Sequence, residues 1–304
     1  MKVLITGGAG YIGSELAKRL AKNNSVSRIT VYDNLSRGNY NFFIGDSIAG
    51  NKIHFVNGDI LDSRKLKKVL KGCDAVIHLA AKVTTPYSNI DSHAFEQVNH
   101  WGTAELVYAL EEQPVPQFIF MSSASVYGNI SDEATEETIP NPSSFYGVSK
   151  FRAEQHVMRL MEKMNTIILR AGNVYGFSQS MRFDAVINKF MFDAHFHNRV
   201  TIHGNGRQLR TFIHIDKVTY MLEQLLSKKI SSGVYNLSDK NLSVLELIDT
   251  LKQFYPELEF MFINQHLNMQ QMIVNPQSKL YSEIPLPASE LSDELKLFKE
   301  RFAF

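Results

Sequence analysis

The sequence has little of three things, and each shortage excludes a class of protein. It has a single cysteine, Cys73, so it can form no internal disulfide, which fits a reducing compartment. Its charges nearly cancel, with a net charge of +1, so nothing suggests a nucleic-acid partner. No apolar run approaches the length of a membrane span. Because the first strand pattern begins at Lys2, we expect no cleavable signal and a cytoplasmic protein without a membrane partner.

What the sequence does have is enough apolar material for a substantial core. Its 304 residues are 44% hydrophobic, which suits one large domain or two closely packed ones. Apolar runs of strand length alternate with helical patterns from the first residues onward. This alternation is typical of α/β proteins built on a parallel sheet.

The most informative segment is residues 6–13, which read TGGAGYIG. It follows an apolar strand pattern at residues 2–5 and opens a helical pattern at residues 11–23. A strand, a glycine-rich turn and a helix in this order form the phosphate-binding corner of dinucleotide folds. A plain loop is the alternative, but the position directly after a strand favours a nucleotide site.

Each glycine of this segment has a predicted role. Gly7 would permit the tight turn, Gly10 would let the backbone approach a pyrophosphate, and Gly13 would let helix and strand pack closely. The helix then begins at Tyr11 and Ile12, where free N–H groups and the helix dipole attract phosphates. We therefore expect all five residues to bind the cofactor.

A second strand pattern, at residues 28–32, ends at Asp33, twenty positions after Gly13. A carboxylate there accepts hydrogen bonds from the adenosine ribose and repels a 2′-phosphate, so the sequence favours NAD over NADP. Asp33-Asn34 is also a common turn pair, and a purely structural role is the alternative. Arg37 follows closely and could accommodate a 2′-phosphate. We expect Asp33 and Asn34 to contact the cofactor.

The alternation continues to residue 81. Strand patterns at residues 52–56 and 74–79 flank a helical pattern at residues 63–70. Asp59 and Ile60 stand where an adenine could be bordered, with a turn or helix-capping role as an equal alternative for Asp59. Small residues after the later strand would let the cofactor lie across the strand ends. The positions expected there are Leu79, Ala80 and Ala81.

A second constellation carries catalytic chemistry. A strand pattern at residues 115–121 leads into residues 122–128, which read SSASVYG and place hydroxyls where α/β folds bind ligands. Tyr146 and Lys150 lie four residues apart in a helical pattern and share one face. A nearby ammonium favours the phenolate, so we expect the pKa of Tyr146 to fall from about 10 toward neutrality. Tyr146 then becomes a general base for a sugar hydroxyl, although an exposed helix face is the alternative.

Together these motifs resemble the nucleotide-sugar epimerase/dehydratase family of extended short-chain dehydrogenases/reductases. The matching residues are 6–13, 33–35, 58–59, 78–81, 98–99, 102–103, 122–128, 146–150, 170–176 and 210–214. The resemblance implies a Rossmann-type, doubly wound parallel α/β sheet with a smaller C-terminal substrate-binding lobe. It implies an NAD-binding domain at residues 1–170 and a mainly substrate-binding lobe at 171–304, with some segments returning to the first domain.

The resemblance also implies roles for individual residues. Ser123 matches the catalytic serine or threonine, and Ser125 lines the pocket. Tyr146 matches the base, and Lys150 matches the residue that holds the nicotinamide ribose.

Substrate binding is implied at three further positions. Asn173 and Arg210 resemble residues that grip the diphosphate of a nucleotide-sugar substrate, and a guanidinium fork suits phosphate. The family's second diphosphate-binding arginine is missing, because no arginine occurs between positions 210 and 301. Arg182 is a candidate replacement, in a stretch at residues 180–188 that we expect to open a helix and to line the sugar pocket. The alternative for Arg182 is a surface charge paired with Asp184.

Departures from the family pattern narrow the reaction. The 4,6-dehydratase branch carries an Asp-Glu pair after the catalytic threonine, where this chain has Ala124 and Ser125. The 3,5-epimerase branch uses a cysteine base in this loop, which Ala124 does not supply. What remains is 4-epimerisation with NAD, or one-way oxidation or reduction by a 4-dehydrogenase or 4-ketoreductase. We favour the epimerase, because residues 122–128 and 33–35 most resemble UDP-glucose 4-epimerases.

Two alternative functions from other classes of protein are less well supported by the sequence. A non-catalytic dinucleotide sensor is disfavoured because Tyr146 and Lys150 are both present, and a nucleic-acid-binding relative is disfavoured by the near-zero charge. The resemblance implies a nucleotide-diphosphate sugar as substrate and no metal. It also implies a homodimer formed through helices at residues 92–111 and 144–164, with packing inside one monomer as the alternative for their excess apolar residues.

Overall fold

A computed structural model describes residues 1–44, 52–83, 91–130, 132–264 and 271–302. Its strands, in chain order, are β1 Lys2–Thr6, β2 Arg28–Asp33, β3 Ile53–Asn57, β4 Ala75–His78, β5 Gln117–Ser123, β6 Asn165–Ala171, β7 Asn173–Tyr175, β8 Arg199–His203, β9 Leu209–His214, β10 Gly233–Leu237, β11 Lys240–Ser243 and β12 Glu259–Ile263. Its α-helices are α1 Tyr11–Ala21, α2 Ser63–Leu70, α3 Ser92–Phe95, α4 Gly102–Glu112, α5 Phe145–Met158, α6 Val186–His197, α7 Ile215–Leu225, α8 Val244–Lys252 and α9 Leu291–Lys299. A π-helical segment, Glu96–Trp101, joins α3 to α4.

Seven strands form one parallel sheet in the order β10-β6-β5-β4-β1-β2-β3. The chain starts in β1, moves outward through β2 and β3, and then returns to β4 on the other side of β1. This reversal is the switch point at which doubly wound sheets bind ligands. The predicted Rossmann-type fold is confirmed.

Apolar residues on both faces of the sheet explain its three layers. Val3 and Ile5 of β1 pack into one apolar cluster with α1 and α7, whereas Leu4 packs into another with α2, α4 and α5. Side chains alternate between faces along a strand, so a strand buried on both sides must be apolar throughout. The run that begins the chain is therefore the central strand of a covered sheet.

The rest of the chain builds a smaller lobe around its own apolar cluster. This lobe contains the sheet β11-β9-β7, the pair β12-β8, and helices α6, α8 and α9. Two later elements belong to the large sheet instead, since β10 pairs with β6 and α7 packs on α1. The cleft between the sheet and the lobe is where the functional residues converge.

The helix expected to open in residues 180–188 begins near the end of that stretch. Residues 180–185 form a loop, and α6 begins only at Val186, after Ala185 in an extended conformation. Arg182 lies in this loop and lines the cleft. Of the helices in the described ranges, none has the length and apolarity to cross a membrane.

Candidate active site

One cleft of about 1080 Å³ lies outside the carboxyl ends of the parallel strands. Every residue that the sequence assigned to a cofactor or substrate site lines this cleft. Its volume slightly exceeds the usual range for a single small-ligand site, so it has room for a dinucleotide and a second ligand together.

The glycine-rich turn is held tightly against the sheet. Gly7 has a φ of +70°, and a Cβ on it would lie 2.6 Å from the backbone nitrogen of Ala80. A Cβ on Gly13 would lie 2.4 Å from the carbonyl oxygen of Gly7. Gly10 precedes α1 without a side-chain cap, so the first N–H groups of that helix stay available to phosphate oxygens. The close packing predicted for Gly13 is present.

Two glycine substitutions should separate packing from phosphate binding. Gly13→Ala forces a Cβ into the backbone of the turn, so it should lower both the midpoint of thermal unfolding and the affinity for NAD. At Gly10 the nearest atom to an added Cβ is the Gly7 carbonyl oxygen, at 3.1 Å, and its φ of −74° suits alanine. Gly10→Ala should therefore weaken NAD binding with little change in unfolding. Calorimetric NAD titration and thermal melts of both variants test this, and equal loss of stability in the two would contradict it.

Asp33 has both a structural contact and access to the cleft. Its Oδ1 accepts the N–H of Leu35 at 2.8 Å, and its Oδ2 accepts the N–H of Ala9 at 3.1 Å. Burial raises the pKa of Asp33, against the lowering effect of these two bonds. Arg37, the residue that could have favoured a 2′-phosphate, lies 3.5 Å from Asp184 in the other lobe. Because Arg37 is paired with Asp184, it is less available to bind a 2′-phosphate, which favours NAD over NADP at this site.

Asp59 has the turn role that was one of its two predicted alternatives. Its Oδ1 accepts the N–H of Leu61, and its Oδ2 accepts the side-chain amide of Asn34, each at 2.9 Å. Helix α2 is capped by Asp62 instead, so Asp59 is not a helix cap. The Asn34–Asp59 contact joins the ends of β2 and β3 at the rim of the cleft, which orients both residues.

The proposed base lies at the opposite end of the cleft. Ser123 ends β5, and its hydroxyl donates to the Ser125 hydroxyl at 3.0 Å. Tyr146 lies in the first turn of α5, after the N-cap Ser144, whose hydroxyl accepts the N–H of Gly147 at 3.0 Å. A strand end and a helix start therefore hold the serines and the tyrosine on one wall.

The predicted fall in the pKa of Tyr146 was wrong for the protein on its own. Burial raises the pKa of Tyr146, and the smaller opposing effects come from Arg182 and from a hydrogen bond with Ser123. Desolvation disfavours a buried phenolate, and this outweighs the nearby cation. Lys150 does not contribute, because burial lowers its own pKa to about 7, against the effect of Glu154.

Lys150 nevertheless fits a cofactor-binding role. It is buried, with 2% of its surface exposed, and its Nζ lies 4.1 Å from the centre of the Phe120 ring. Within the described part of the chain this ammonium has no hydrogen-bond partner, although it lines the cleft. A buried donor without a partner is costly unless a ligand satisfies it, and a ribose hydroxyl would do so.

Sequence reasoning missed a buried ionic network behind this wall. Glu154, on α5, accepts hydrogen bonds from the Ser122 hydroxyl at 2.5 Å and from Arg170 at 2.8 and 3.1 Å. Glu154 is completely buried and Arg170 is 3% exposed. The sequence did contain a signal for this pair: one charged residue on α5 and one of opposite sign in β6, each at a position where its element is otherwise buried.

The substrate side of the cleft carries two arginines. Arg210 lines it from β9, and its guanidinium has no hydrogen bond or ion pair with the described residues. The alternative prediction for Arg182, a surface charge paired with Asp184, is half right. The side chain of Arg182 is only 18% exposed, so it is not a surface charge, but its Nε does pair with Asp184 at 3.2 Å. Asn173 lines the same wall and donates its amide to the Thr211 carbonyl at 3.0 Å. Two guanidinium groups at one wall are suited to a diphosphate.

Comparison with known proteins decides the family. Residues 3–238 match the model of the NAD dependent epimerase/dehydratase family. The chain belongs to this family. The resemblance seen in the sequence is confirmed.

Named relatives carry out more than one reaction. The chain is 33% identical over 263 residues to a dTDP-D-glucose 4,6-dehydratase of Dictyostelium discoideum, covering 81% of this chain but only 60% of that protein. It is 32% identical over 265 residues to the Bos taurus dTDP-D-glucose 4,6-dehydratase, covering 84% and 73%. Among solved structures, a UDP-glucuronic acid 4-epimerase from Bacillus cereus, in complex with UDP-glucuronic acid and NAD, superposes with a TM-score of 0.87 at 28% identity, over 99% of this chain and 98% of that one.

The cofactor prediction is confirmed, because the family is NAD-dependent and similar structures contain NAD. The protein is an enzyme of the epimerase/dehydratase family. Which of the family's reactions it carries out depends on the residues beside Tyr146.

Proposed function

We propose that this protein is an NAD-dependent nucleotide-sugar 4-epimerase that works by transient oxidation at the sugar C4. The observation that carries the proposal is the chemistry beside Tyr146. The carboxylates that line the described cleft are Asp33, Asp59 and Asp184. The first two end or follow strands on the adenosine side, and Asp184 is paired with arginines.

This composition disfavours a 4,6-dehydratase despite the named relatives. Removing water from the sugar requires a group to take a proton from C5 and an acid to protonate the departing hydroxyl. At the positions after Ser123 this chain offers Ala124, which is buried and apolar, and Ser125, which is a weak acid. Oxidation and reduction at C4 require one base only, and Tyr146 supplies it.

The chain's own residues would carry the reaction as follows. Tyr146 takes the proton of the 4-hydroxyl and later returns one to the same oxygen, while the Ser123 hydroxyl holds that oxygen in place. NAD, when bound, would supply an acceptor for the C4 hydrogen as hydride and a donor that restores it. Lys150 would hold the nicotinamide ribose, and the turn at residues 7–13 the pyrophosphate. Because the sugar is reduced again at the end, the enzyme consumes no NAD.

Arg210, Arg182 and Asn173 would bind the diphosphate of the substrate. Such an anchor lies outside the reacting ring, so the sugar can turn its other face to the cofactor while the nucleotide stays bound. The Arg210 guanidinium, half-buried beside the cleft and without an ionic partner among the described residues, supports this assignment, because such a charge is stabilised by an opposite charge. Assays with different nucleotide sugars can identify the nucleobase and the sugar of the substrate.

The test is to incubate the purified enzyme with UDP-, GDP-, CDP- and dTDP-sugars and to follow NADH absorbance and sugar stereochemistry by NMR together. A 4-epimerase should invert C4 without added NAD and without accumulating NADH. NADH released in step with sugar consumption, with no C4-inverted product, would replace the proposal with a 4-dehydrogenase. A 6-deoxy-4-keto product would replace it with a dehydratase.

The Asp33 carboxylate should set the preference for NAD over NADP. Its negative charge repels a 2′-phosphate, so NADP should bind clearly more weakly to apo protein in calorimetric titration. Asp33→Asn keeps the shape and removes the charge, and it should narrow the gap between the two cofactors. Tighter NADP binding by the unchanged protein would remove Asp33 from the ribose role and implicate Arg37.

Homodimerisation remains a proposal, with a smaller apolar surface than the sequence suggested. Three of the apolar residues on these helices, Val157, Leu160 and Met164, are buried inside the monomer, as the alternative of packing within one chain predicted. The exposed aromatic residues on these helices are Trp101, Tyr108 and Phe145, which are 38–48% exposed. They are the residues of this face that a second copy would cover.

Light scattering at micromolar concentration should give twice the monomer mass of 34.6 kDa. Trp101→Glu places a charge in the proposed interface and should shift the mass toward the monomer. Leu297→Glu, at a 63% exposed position of α9, is the matched control and should leave the mass unchanged. A monomer mass for the unchanged protein would reject the dimer.

A further inference from the structure

A buried polar network joins the cofactor turn to the loop that carries Arg182. Asn188, in the first turn of α6, has no exposed surface. Its Oδ1 accepts the N–H of Gly176 at 3.0 Å, and its Nδ2 donates both to the Tyr11 hydroxyl and to the Arg182 carbonyl, each at 3.1 Å. The Tyr11 hydroxyl in turn donates to the Gly176 carbonyl at 2.6 Å. Every polar atom of the Asn188 side chain is therefore used.

The two ends of this network belong to different sites. Tyr11 is the first residue of α1 and follows the glycine-rich turn. Arg182 lies in the loop at residues 181–185, all of which line the cleft. The charge of Arg182 is felt at both ends of the site, since it lowers the pKa of Tyr11 and of Tyr146 against the larger raising effect of burial. The position of this loop thus bears on cofactor and substrate alike.

We propose that Asn188 is a positioning residue, which together with the Tyr11 hydroxyl fixes the substrate-facing loop at residues 181–185 onto the cofactor turn. Asn188 is not among the residues that line the cleft. It acts through the main chain of Arg182, whose guanidinium would bind the diphosphate, and in that respect the inference rests on the proposed function.

The chemistry of the network demands an amide at this position. The same side chain must accept one backbone N–H and donate to two oxygens, and only asparagine offers this combination at this length. Leucine has a similar volume but leaves the Gly176 N–H unpaired in a buried place, and the Arg182 carbonyl loses the side-chain donor that ties it to α6 while keeping the N–H of Ala185 at 3.3 Å. With its anchor lost, the loop should open locally while the sheet remains folded.

The test uses Asn188→Leu, Tyr11→Phe and a matched control. Ser178→Ala removes a hydroxyl that binds α1 in the same interface, at the Tyr11 carbonyl (3.0 Å) and at Glu15 (3.1 Å), and that accepts the N–H of Ser180 (3.2 Å), but it does not reach Arg182. Amide hydrogen exchange in the segment 181–186, which excludes the Ser180 amide, should speed up about tenfold or more in Asn188→Leu and Tyr11→Phe, and much less in Ser178→Ala. If Asn188→Leu does not fold, Tyr11→Phe decides, because it keeps the ring and removes one hydroxyl.

A second readout separates positioning from general damage. In NAD-loaded protein, the Kd for UDP or dTDP, and the KM for the nucleotide sugar, should rise about tenfold in Asn188→Leu, with kcat changed far less. Ser178→Ala should change none of these. Exchange in the segment 181–186 that is the same in Asn188→Leu and in the unchanged protein would overturn the proposal. If the unchanged protein binds none of UDP, GDP, CDP and dTDP, the proposed function fails, while the exchange measurement still decides the role of Asn188.

Discussion

Replacing Tyr146 by phenylalanine should lower turnover by about 10²–10⁴-fold, the usual size of a general acid–base contribution. The substitution removes the titratable hydroxyl and keeps the ring, which packs edge-on against Phe95 at 6.2 Å between ring centres. Folding and NAD binding should therefore change little. Steady-state kinetics on the substrate identified by the panel, with thermal melts alongside, measure the effect.

The matched control is Tyr235→Phe, which removes a hydroxyl that bonds the Ser231 carbonyl away from the cleft. It should leave turnover unchanged. Lys150→Met should also slow the reaction, because the buried donor proposed to hold the nicotinamide ribose is lost. Unchanged turnover in Tyr146→Phe would refute the assignment of the base.

Replacing Arg170 by methionine should lower the free energy of unfolding by about 3–5 kcal/mol. The change leaves the carboxylate of Glu154 buried without its counter-charge and with only the Ser122 hydroxyl as a donor. Guanidinium denaturation of the NAD-free protein measures the loss. Turnover of whatever protein remains folded should fall as well, since Glu154 lies one turn beyond Lys150 on α5.

Two further variants make this prediction specific to burial. Arg159→Met breaks an ion pair with Glu111 in which the arginine side chain is 48% exposed, and it should cost about 0–1 kcal/mol. The double variant Arg170→Met/Glu154→Leu removes both buried charges and should recover a large part of the stability. A single Arg170→Met variant as stable as Arg159→Met would contradict the account of the buried pair.

The sequence was most informative where one local rule decides the structure. The strands and helices up to residue 81 follow from apolar runs, turn residues and the spacing of glycines, and helix α2 has the predicted bounds, Ser63–Leu70. The glycine positions follow from backbone geometry, which explains why Gly13 could be assigned a packing role before any coordinates. The cleft residues were found because strand ends in a parallel sheet converge on one edge.

The sequence was least informative where distant segments determine a local property. The pKa of Tyr146 depends on burial by residues far along the chain, so a neighbouring lysine was a poor guide to it. The loop before Val186 is fixed by contacts of Asn188 with Tyr11 and Gly176, which no helical pattern reports. The Glu154–Arg170 pair required knowing that α5 lies on β6. Burial and long-range hydrogen bonding are thus the properties of the folded chain that local sequence patterns did not predict.

The most direct test of the central claim is the fate of the hydrogen on C4. The substrate identified by the panel, deuterated at C4, is converted by purified enzyme without added NAD, and the product is analysed by NMR and mass spectrometry. Epimerisation through a bound cofactor predicts inverted product that retains the deuterium at C4. Deuterium found at C6, or lost into released NADH, would contradict the account and identify the enzyme as a dehydratase or a dehydrogenase.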